Sequence, residues 1–342
     1  MKALVLVDKN YFEYKEVPTP KVESGEVLIK VKACGICGSD IHGMDGSSGR
    51  RKPPIIMGHE ASGIIEKIGS SVESYKEGDK VTFDSTIYCG TCFYCNLGLH
   101  NLCNNRKIMG VSCDDYHRDG AMAEYISLPE HILYRIPDGL SYEKAAMVEP
   151  VSVAFHAVDR SPTKINDSVV VVGAGIIGLL IIQSLKLVGC GDIIAIDINE
   201  SRLSLAANFG ASYCMKPDTD AINKIYKITD GRGADAAFEA VGLNPTLNFA
   251  IKTIRKGGFV KLVGNLSKEV NFPLQAVVTQ EKDILSSCAS NGEYKACLDM
   301  MKRGCINLEP LISCTPKLKE GGRWFNKLYK AEDNLLKVIL KP

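Results

Sequence analysis

The sequence lacks any excess of charge of one sign. Its 342 residues include 41 basic and 40 acidic side chains, which leave a formal net charge of +1. Electrostatic binding to nucleic acid or to an anionic membrane surface generally relies on a basic excess. We therefore expect neither a nucleic acid nor a membrane as a partner.

Long apolar runs are also missing. The longest apolar run, residues 169–182, contains no charge but is shorter than the roughly 20 residues that a membrane-spanning helix needs. The amino-terminal run ALVLV before Asp8 is too short for the apolar core of a signal peptide. We expect a cytoplasmic protein, and the chain shows no internal repeat or low-complexity segment.

Cysteine, in contrast, is abundant. Thirteen cysteines would indicate a disulfide scaffold in a small secreted domain, but this chain is long and shows no export signal. Reduced thiols and metal ligands are therefore the better interpretation of these residues.

Two domains are expected from the length and from a change of pattern along the chain. Residues 1 to about 150 alternate β-rich runs with glycine and proline, which predicts a mostly β domain. Its clearest runs are KALVLV, EVLIKVKA, SGIIEKIG and DKVTF. From Asp167 onwards, strand, glycine turn, helix, strand and helix follow in the order typical of a parallel sheet. With further strand candidates at 234–241, 258–264 and 283–289, the pattern suits a six-stranded doubly wound α/β fold.

Residues 173–178 match the dinucleotide-binding pattern G-x-G-x-x-G. The match follows a four-valine strand and opens a helix, and Asp197 ends the next strand 19 residues beyond Gly178. In this context the glycines let a pyrophosphate approach the helix N-terminus, while the aspartate binds the ribose hydroxyls and repels a 2′-phosphate. NAD is therefore expected over NADP.

Arg202 either faces the adenine or lies on the solvated face of its own helix. The predicted cofactor-binding residues are Gly173, Gly175, Ile176, Ile177, Gly178, Asp197 and Arg202.

A second motif holds four cysteines within fifteen residues, at positions 89, 92, 95 and 103. Four thiolates at this spacing can close a tetrahedron around one Zn²⁺ and leave no position for a substrate. An iron–sulfur cluster is the rival interpretation, but the chain has no ferredoxin-like setting. We expect a structural zinc site formed by Cys89, Cys92, Cys95 and Cys103.

A third set of candidate metal ligands is dispersed along the chain. The stretch ACGICGSDIHG at 33–43 precedes the tripeptide GHE at 58–60, and VEP follows at 148–150. Alone, the C-x-x-C of the first stretch is compatible with a redox pair, a metal site or a nucleophile. One cysteine, one histidine and one or two glutamates together make an open zinc site, in which a water or an alcohol completes the coordination.

Taken in order, these motifs resemble the zinc-dependent medium-chain dehydrogenases. The resemblance covers essentially the whole chain. It is closest to the sorbitol (L-iditol) and polyol dehydrogenase branch, which includes galactitol-1-phosphate dehydrogenase. The motifs that carry it are CGSDIH at 37–42, GHE at 58–60, the four-cysteine segment, VEP at 148–150 and the glycine motif.

The resemblance implies a role for each matching residue. Glu149 is either a direct ligand of the catalytic zinc or reaches it through the bound water, Asp40 orients the ring of His59, and Ser39 and His42 relay a proton towards solvent. Cys34 matches no ligand and is expected to be a buried core thiol. The implied ligands of the catalytic zinc are Cys37, His59 and Glu60 with Glu149, and the implied catalytic residues are Ser39, His42 and Glu149.

The family also implies a fold and a reaction. A GroES-like catalytic domain (residues 1–152) is interrupted by a Rossmann NAD-binding domain (153–288), and residues 289–342 return to the first domain. With two zinc ions per chain and NAD, the enzyme removes a hydride from a secondary alcohol of a polyol and forms the ketone. A homodimer or homotetramer is expected.

The substrate is where the match weakens. Sorbitol dehydrogenase has an Arg–Tyr pair after its last Rossmann strand, and the corresponding stretch here is 288–291, CASN. The run Arg50-Arg51-Lys52 is either a solvated loop or a clamp for a sugar phosphate. The alternatives to a polyol dehydrogenase are therefore a polyol-phosphate dehydrogenase, a zinc-free reductase of the quinone type, and a zinc-stabilised NAD sensor without turnover.

Overall fold

A computed structural model describes residues 1–112 and 116–342. The chain divides into two compact units. The first unit contains residues 1–149, 291–304 and 308–342, and the second contains 150–290 and 305–307.

The amino-terminal part is built mainly of strands. Every run that the alternating pattern predicted as a strand is one. The strands are β1 (Lys2–Asp8), β2 (Tyr11–Glu16), β3 (Glu26–Gly35), β4 (Ile55–Ile56), β5 (Glu60–Ile68), β6 (Lys80–Phe83), β7 (Thr86–Ile87), β8 (Lys107–Ile108), β9 (Val111–Ser112), β10 (His117–Arg118), β11 (Tyr125–Pro129) and β12 (Leu133–Arg135). The helices are α1 (Gly38–Met44), α2 (Phe93–Asn96), α3 (Tyr142–Ala146) and α4 (Val148–Asp159).

The second unit confirms the predicted doubly wound α/β pattern. Its elements alternate as β13 (Val169–Val172), α5 (Ile176–Val188), β14 (Ile193–Ile196), α6 (Glu200–Asn208), β15 (Tyr213–Met215), α7 (Thr219–Ile228), β16 (Ala234–Glu239), α8 (Asn244–Thr253), β17 (Ile254–Leu262), α9 (Leu274–Thr279) and β18 (Asp283–Ser286). The six strands are parallel in the order β15-β14-β13-β16-β17-β18. The central strand β13 is buried along its whole length, as a strand covered on both faces must be.

The carboxyl-terminal residues add α10 (Tyr294–Lys302), β19 (Ile312–Cys314), α11 (Gly321–Tyr329) and β20 (Lys337–Leu340). Short 3₁₀ turns occur at His100–Leu102, Glu130–Ile132, Glu309–Leu311, Leu318–Glu320 and Glu332–Asn334. Within the described ranges, no helix has the length and apolar character needed to cross a bilayer.

The main sheet of the first unit positions the site described next. Its seven strands follow the order β12-β6-β5-β3-β20-β19, with β11 also paired to β3. Antiparallel pairing sets Gly35 of β3 opposite Glu60 of β5 on one side and opposite Ile339 of β20 on the other. Gly35 is needed here because an added Cβ would lie 2.3 Å from Glu60 Oε2. The ends of three strands that are distant in sequence thus meet at one point.

Candidate active site

A set of metal-donor atoms lies where β3, β5 and α1 meet. The side-chain donors of Cys37, His59 and Glu60 are all within 4.8 Å of one another. Cys37 is the residue before α1, and Glu60 is the first residue of β5. A soft thiolate, an imidazole and a carboxylate are ligands that zinc accepts, and three of them leave one tetrahedral position open. The donor set therefore fits a catalytic zinc ion.

The surroundings of His59 are strongly anionic. Its Nδ1 lies 3.5 Å from Asp40 Oδ1, and its Nε2 lies 3.5 Å from Ser39 Oγ. Burial alone would lower the pKa of His59, but the charges of Asp40 and Cys37 outweigh it and raise the pKa well above its usual value. The raised pKa means that the groups around His59 stabilise a positive charge. A divalent metal ion bound there would supply that charge.

Asp40 is fully buried on the inner face of α1. Burial opposes its ionisation, but His59 and Arg51 more than compensate and hold the pKa of its carboxyl well below the usual range. Arg51 Nη2 donates to Asp40 Oδ1 at 2.8 Å and Arg51 Nε donates to the same oxygen at 3.2 Å. For Arg51, both interpretations of the run 50–52 were wrong. Its side chain is 4% exposed and paired, so it is neither solvated nor free to clamp a phosphate.

Glu60 has a buried cationic partner that the sequence analysis missed. Lys337 Nζ in β20 donates to Glu60 Oε1 at 2.9 Å and to Oε2 at 2.7 Å, and also to the carbonyl of Ile36 at 3.1 Å. Both side chains are almost completely buried. The signal that could have revealed Lys337 is its position as a single charge inside the apolar strand run LLKVIL.

Glu149 is electrostatically connected to the donor set. Removal from water raises the pKa of Glu149 to about 7, with His59 opposing the shift and Glu60 adding to it. Its carboxylate is outside the group of three donors that lie within 4.8 Å of one another. His42, which was predicted to relay a proton, is exposed on the last turn of α1.

Cys34, the other cysteine of the C-x-x-C stretch, is completely buried in the core of the first unit, as predicted. It packs so closely that a Cβ added at Gly58 would lie 2.6 Å from its sulfur. Burial is the main reason that the pKa of the Cys34 thiol lies well above its usual value. A buried thiol of this kind is inert, which argues against a redox pair.

The four cysteines that were predicted to hold a structural zinc come together. The Sγ atoms of Cys89 and Cys95 are 4.0 Å apart, those of Cys92 and Cys103 are 3.9 Å apart, and those of Cys89 and Cys103 are 3.5 Å apart. These separations are too long for disulfides. A zinc–sulfur bond of about 2.3 Å gives tetrahedral edges of about 3.8 Å, so the four sulfurs fit a zinc ion.

Asn291 connects the four-cysteine segment to the return of the chain. Its Oδ1 accepts a hydrogen bond from the backbone N–H of His100 at 2.8 Å, and its Nδ2 donates to the carbonyl of Gly98 at 2.9 Å. Asn291 belongs to the stretch that corresponds to the Arg–Tyr pair of sorbitol dehydrogenase. In this chain Asn291 forms hydrogen bonds with the four-cysteine segment instead.

The glycine turn of the second unit has the shape of a phosphate cradle. Gly173 has a φ of +96°, and a Cβ at Gly178 would lie 1.7 Å from the Gly173 carbonyl oxygen. Gly175 precedes α5, and a Cβ there would meet nothing within 4 Å. The glycines thus make the turn tight on the protein side and open at the helix N-terminus, where a pyrophosphate binds. Ile176 and Ile177, the other two predicted residues, form the first turn of α5 and are half-buried.

Asp197 follows β14 and reaches back to the glycine turn. Its Oδ2 accepts a hydrogen bond from the N–H of Ala174 at 2.7 Å, and its Oδ1 accepts one from the N–H of Asn199 at 2.8 Å. Arg202 is half-buried in the first turn of α6, and its Nε is buried. The residues thus fit a dinucleotide whose ribose lies at the carboxyl end of β14.

Comparison with known proteins supports the same interpretation. Residues 23–138 match the alcohol dehydrogenase GroES-like domain, and residues 177–303 match the zinc-binding dehydrogenase family. Sorbitol dehydrogenase of Bacillus subtilis is 32% identical, covering 100% of this chain and 97% of that protein. D-xylulose reductase A of Aspergillus niger is 34% identical over 95% and 93% of the two chains. The crystal structure of galactitol-1-phosphate dehydrogenase from Escherichia coli is 26% identical, with full coverage of both chains and a TM-score of 0.91.

Fold, donor sets and glycine turn together define a zinc-binding oxidoreductase that uses a nicotinamide nucleotide. The chain belongs to the zinc-dependent medium-chain dehydrogenases, in the group that contains the polyol dehydrogenases.

Proposed function

We propose that this protein is an NAD-dependent dehydrogenase that oxidises a secondary alcohol of a polyol to the ketone. The observation that carries the proposal is the open donor set of Cys37, His59 and Glu60, in a chain that also has a dinucleotide turn ending at Asp197. Polyols are the substrate class because relatives with about one-third identity over nearly the whole chain are named for sorbitol and D-xylulose.

A zinc ion at the donor set supplies Lewis acidity, which lowers the pKa of an alcohol hydroxyl. The side chains around it handle the proton. Ser39 Oγ lies beside His59 Nε2, so its hydroxyl can accept the proton that the alcohol releases. His42, three residues further along α1 and exposed, can pass that proton to solvent because residues three apart lie on the same side of a helix.

The proposal includes two zinc ions per chain, one held by Cys37, His59 and Glu60 with Glu149, and one by the four cysteines. The second is supported by the sulfur separations near a zinc tetrahedron. It also includes a catalytic domain of residues 1–152 and 289–342 and a nucleotide-binding domain of 153–288, in a cytoplasmic enzyme.

We further propose a homodimer or homotetramer. In the second unit, several large apolar side chains are exposed within one short segment that precedes the edge strand β18. An exposed apolar patch of this kind is typical of an interface. Light scattering after size exclusion measures the mass, and a monomer at micromolar concentration would contradict this part. The patch consists of Leu266, Phe272, Leu274 and Val278.

A polyol phosphate is the second candidate substrate. Galactitol-1-phosphate dehydrogenase has the same fold over the whole chain. Arg50 and Lys52 are exposed near the site, whereas Arg51 is not available. We therefore prefer the unphosphorylated polyol.

The test is a panel of hexitols, pentitols, inositols and their phosphates, followed by NADH absorbance, together with the zinc content of the purified protein. We expect two zinc ions per chain and turnover of at least one polyol. Tight NADH binding without turnover of any compound would favour the sensor, and full oxidation after removal of both metals would eliminate the proposal.

Cofactor choice is expected to depend on Asp197. Asp197→Ala removes a carboxylate that can accept hydrogen bonds from the ribose and that repels a 2′-phosphate, so kcat/KM should fall about 10- to 100-fold with NAD and rise with NADP. Asp197→Asn is the matched control because it removes the charge but keeps an acceptor for the Ala174 N–H. Both cofactors are compared at a saturating alcohol concentration. A wild type that prefers NADP, or an unchanged ratio in both variants, would show that Asp197 is not at the ribose.

A further inference from the structure

The side chain of Arg51 is buried together with its acidic partner. Its side chain is 3% exposed, and that of Asp40, its partner, is fully buried. Taking a guanidinium out of water costs several kcal/mol unless it is paired with good geometry. Here the pairing is a fork of two N–H groups onto one oxygen, Asp40 Oδ1. A buried ion pair of this kind is by itself weak evidence for a gain in folding stability. The contacts that the pair makes with its neighbours are therefore a better guide to its role.

The same Asp40 carboxylate contacts two of the three residues of the donor set. Oδ1, which receives the Arg51 fork, is also the oxygen that lies 3.5 Å from His59 Nδ1. Oδ2 accepts a hydrogen bond from the backbone N–H of Cys37 at 3.4 Å. Asp40 therefore connects the histidine ring to the backbone of the cysteine, and Arg51 determines where Asp40 sits.

Two further hydrogen bonds fix the Arg51 side chain, and one of them reaches α1. Nη1 donates to the Arg50 carbonyl at 3.2 Å, and Nη2 lies 3.5 Å from Ser39 Oγ. The stem passes over Gly43, where an added Cβ would lie 2.5 Å from Arg51 Cγ. The absence of a side chain at Gly43 thus leaves room for the arginine.

We propose that Arg51 is a positioning residue of the catalytic metal site. Its fork fixes the Asp40 carboxylate, and Asp40 in turn sets the ring of His59 and the start of the helix that follows Cys37. The inference rests on the proposed function, because it presupposes zinc at this donor set. Arg51 itself is not one of the three residues of the donor set.

Metal affinity is the direct test. Partners that orient a ligating histidine typically contribute 10- to 100-fold in metal affinity. We expect Arg51→Met to weaken zinc binding at the catalytic site by roughly that factor, as measured by competition with graded concentrations of a chelator. The zinc held by the four cysteines is an internal control, because it should remain bound at wild-type affinity in a folded protein.

Three comparisons separate positioning from charge and from general stability. Arg50→Met is the matched control, since Arg50 is the exposed neighbour, and it should bind both metals like the wild type. Arg51→Lys keeps the charge but loses the fork, and its affinity should lie between those of the wild type and Arg51→Met. In the Co²⁺-substituted protein, Arg51→Met should also change the visible spectrum of the one-cysteine site, which reports ligand geometry, and leave that of the four-cysteine site unchanged.

Gly43→Ala is the second, independent variant. It keeps both charges but moves the Arg51 stem, so it should also lower the zinc affinity of the catalytic site. If Arg51→Met does not fold, Gly43→Ala is the variant that tests the inference. Wild-type affinity and an unchanged Co²⁺ spectrum in folded Arg51→Met, or in Gly43→Ala, would overturn the inference. A wild-type protein that holds zinc only at the four cysteines would instead overturn the proposed function, so the two failures are distinguishable.

Discussion

Cys37→Ser is expected to abolish alcohol oxidation, whereas Cys34→Ser should keep a rate close to that of the wild type. Cys37 supplies the soft donor of the open metal site, and a serine hydroxyl is a poor replacement for a thiolate on zinc. Cys34 is only three residues away, but it lies in the apolar core. Its replacement buries a hydroxyl, which costs about 1–3 kcal/mol of stability.

The measurements are kcat with the best polyol, zinc content per chain and the midpoint of urea unfolding. Cys37→Ser should lose one zinc ion of two and unfold near the wild-type midpoint, while Cys34→Ser should keep both ions and unfold earlier. An equal loss of catalytic metal from both variants would refute the assignment and restore a joint role for the two cysteines.

Lys337→Met should strongly destabilise the fold, because Lys337 and Glu60 form a buried ion pair. In the zinc-free protein, in which the unfolding is measured, it leaves the Glu60 carboxylate buried without a cation, and breaking a buried pair in this way costs about 3–5 kcal/mol. The double variant Glu60→Gln/Lys337→Met removes both charges and should recover most of that stability. Urea unfolding at neutral pH measures both effects.

Lys341→Met provides the matched control. Lys341 lies four residues after Lys337 and pairs with Glu143, but its side chain is 43% exposed. Exposed pairs contribute about 0–1 kcal/mol, so this variant should unfold close to the wild-type midpoint. If Lys337→Met and Lys341→Met have the same small effect, the pair with Glu60 does not stabilise the fold.

The fold of the second unit was predictable because its signals are local. Four consecutive valines, a glycine turn and a helix lie within one continuous stretch, and burial on both faces makes the strand residues apolar. Among the strands of this unit, only β15 had no predicted counterpart, since three residues are too few to show a period. The four cysteines were predictable for the same reason, because their spacing alone brings them together.

The anchoring of the catalytic site was not predictable, because it depends on contacts between distant residues. Lys337 and Glu60 are 277 positions apart, and no local period connects them. Arg51 was misinterpreted because adjacent charges are usually solvated together, whereas in this chain Arg50 and Lys52 are exposed and Arg51 is buried. The ligand types could be inferred from the sequence, but the two cations that support them could not.

The long separation in sequence between β20 and its neighbour β3 has a consequence for biosynthesis. The 277 residues between Glu60 and Lys337 take roughly 15–55 s to translate at a typical elongation rate. During that time residues 34 and 35 at the end of β3 lack β20 as their neighbour, and β11 pairs only with residues 26–30 of the same strand. An unpaired strand edge of this kind invites aggregation, so chaperone protection should matter most in this interval. Metal loading of the one-cysteine site should then follow the synthesis of β20.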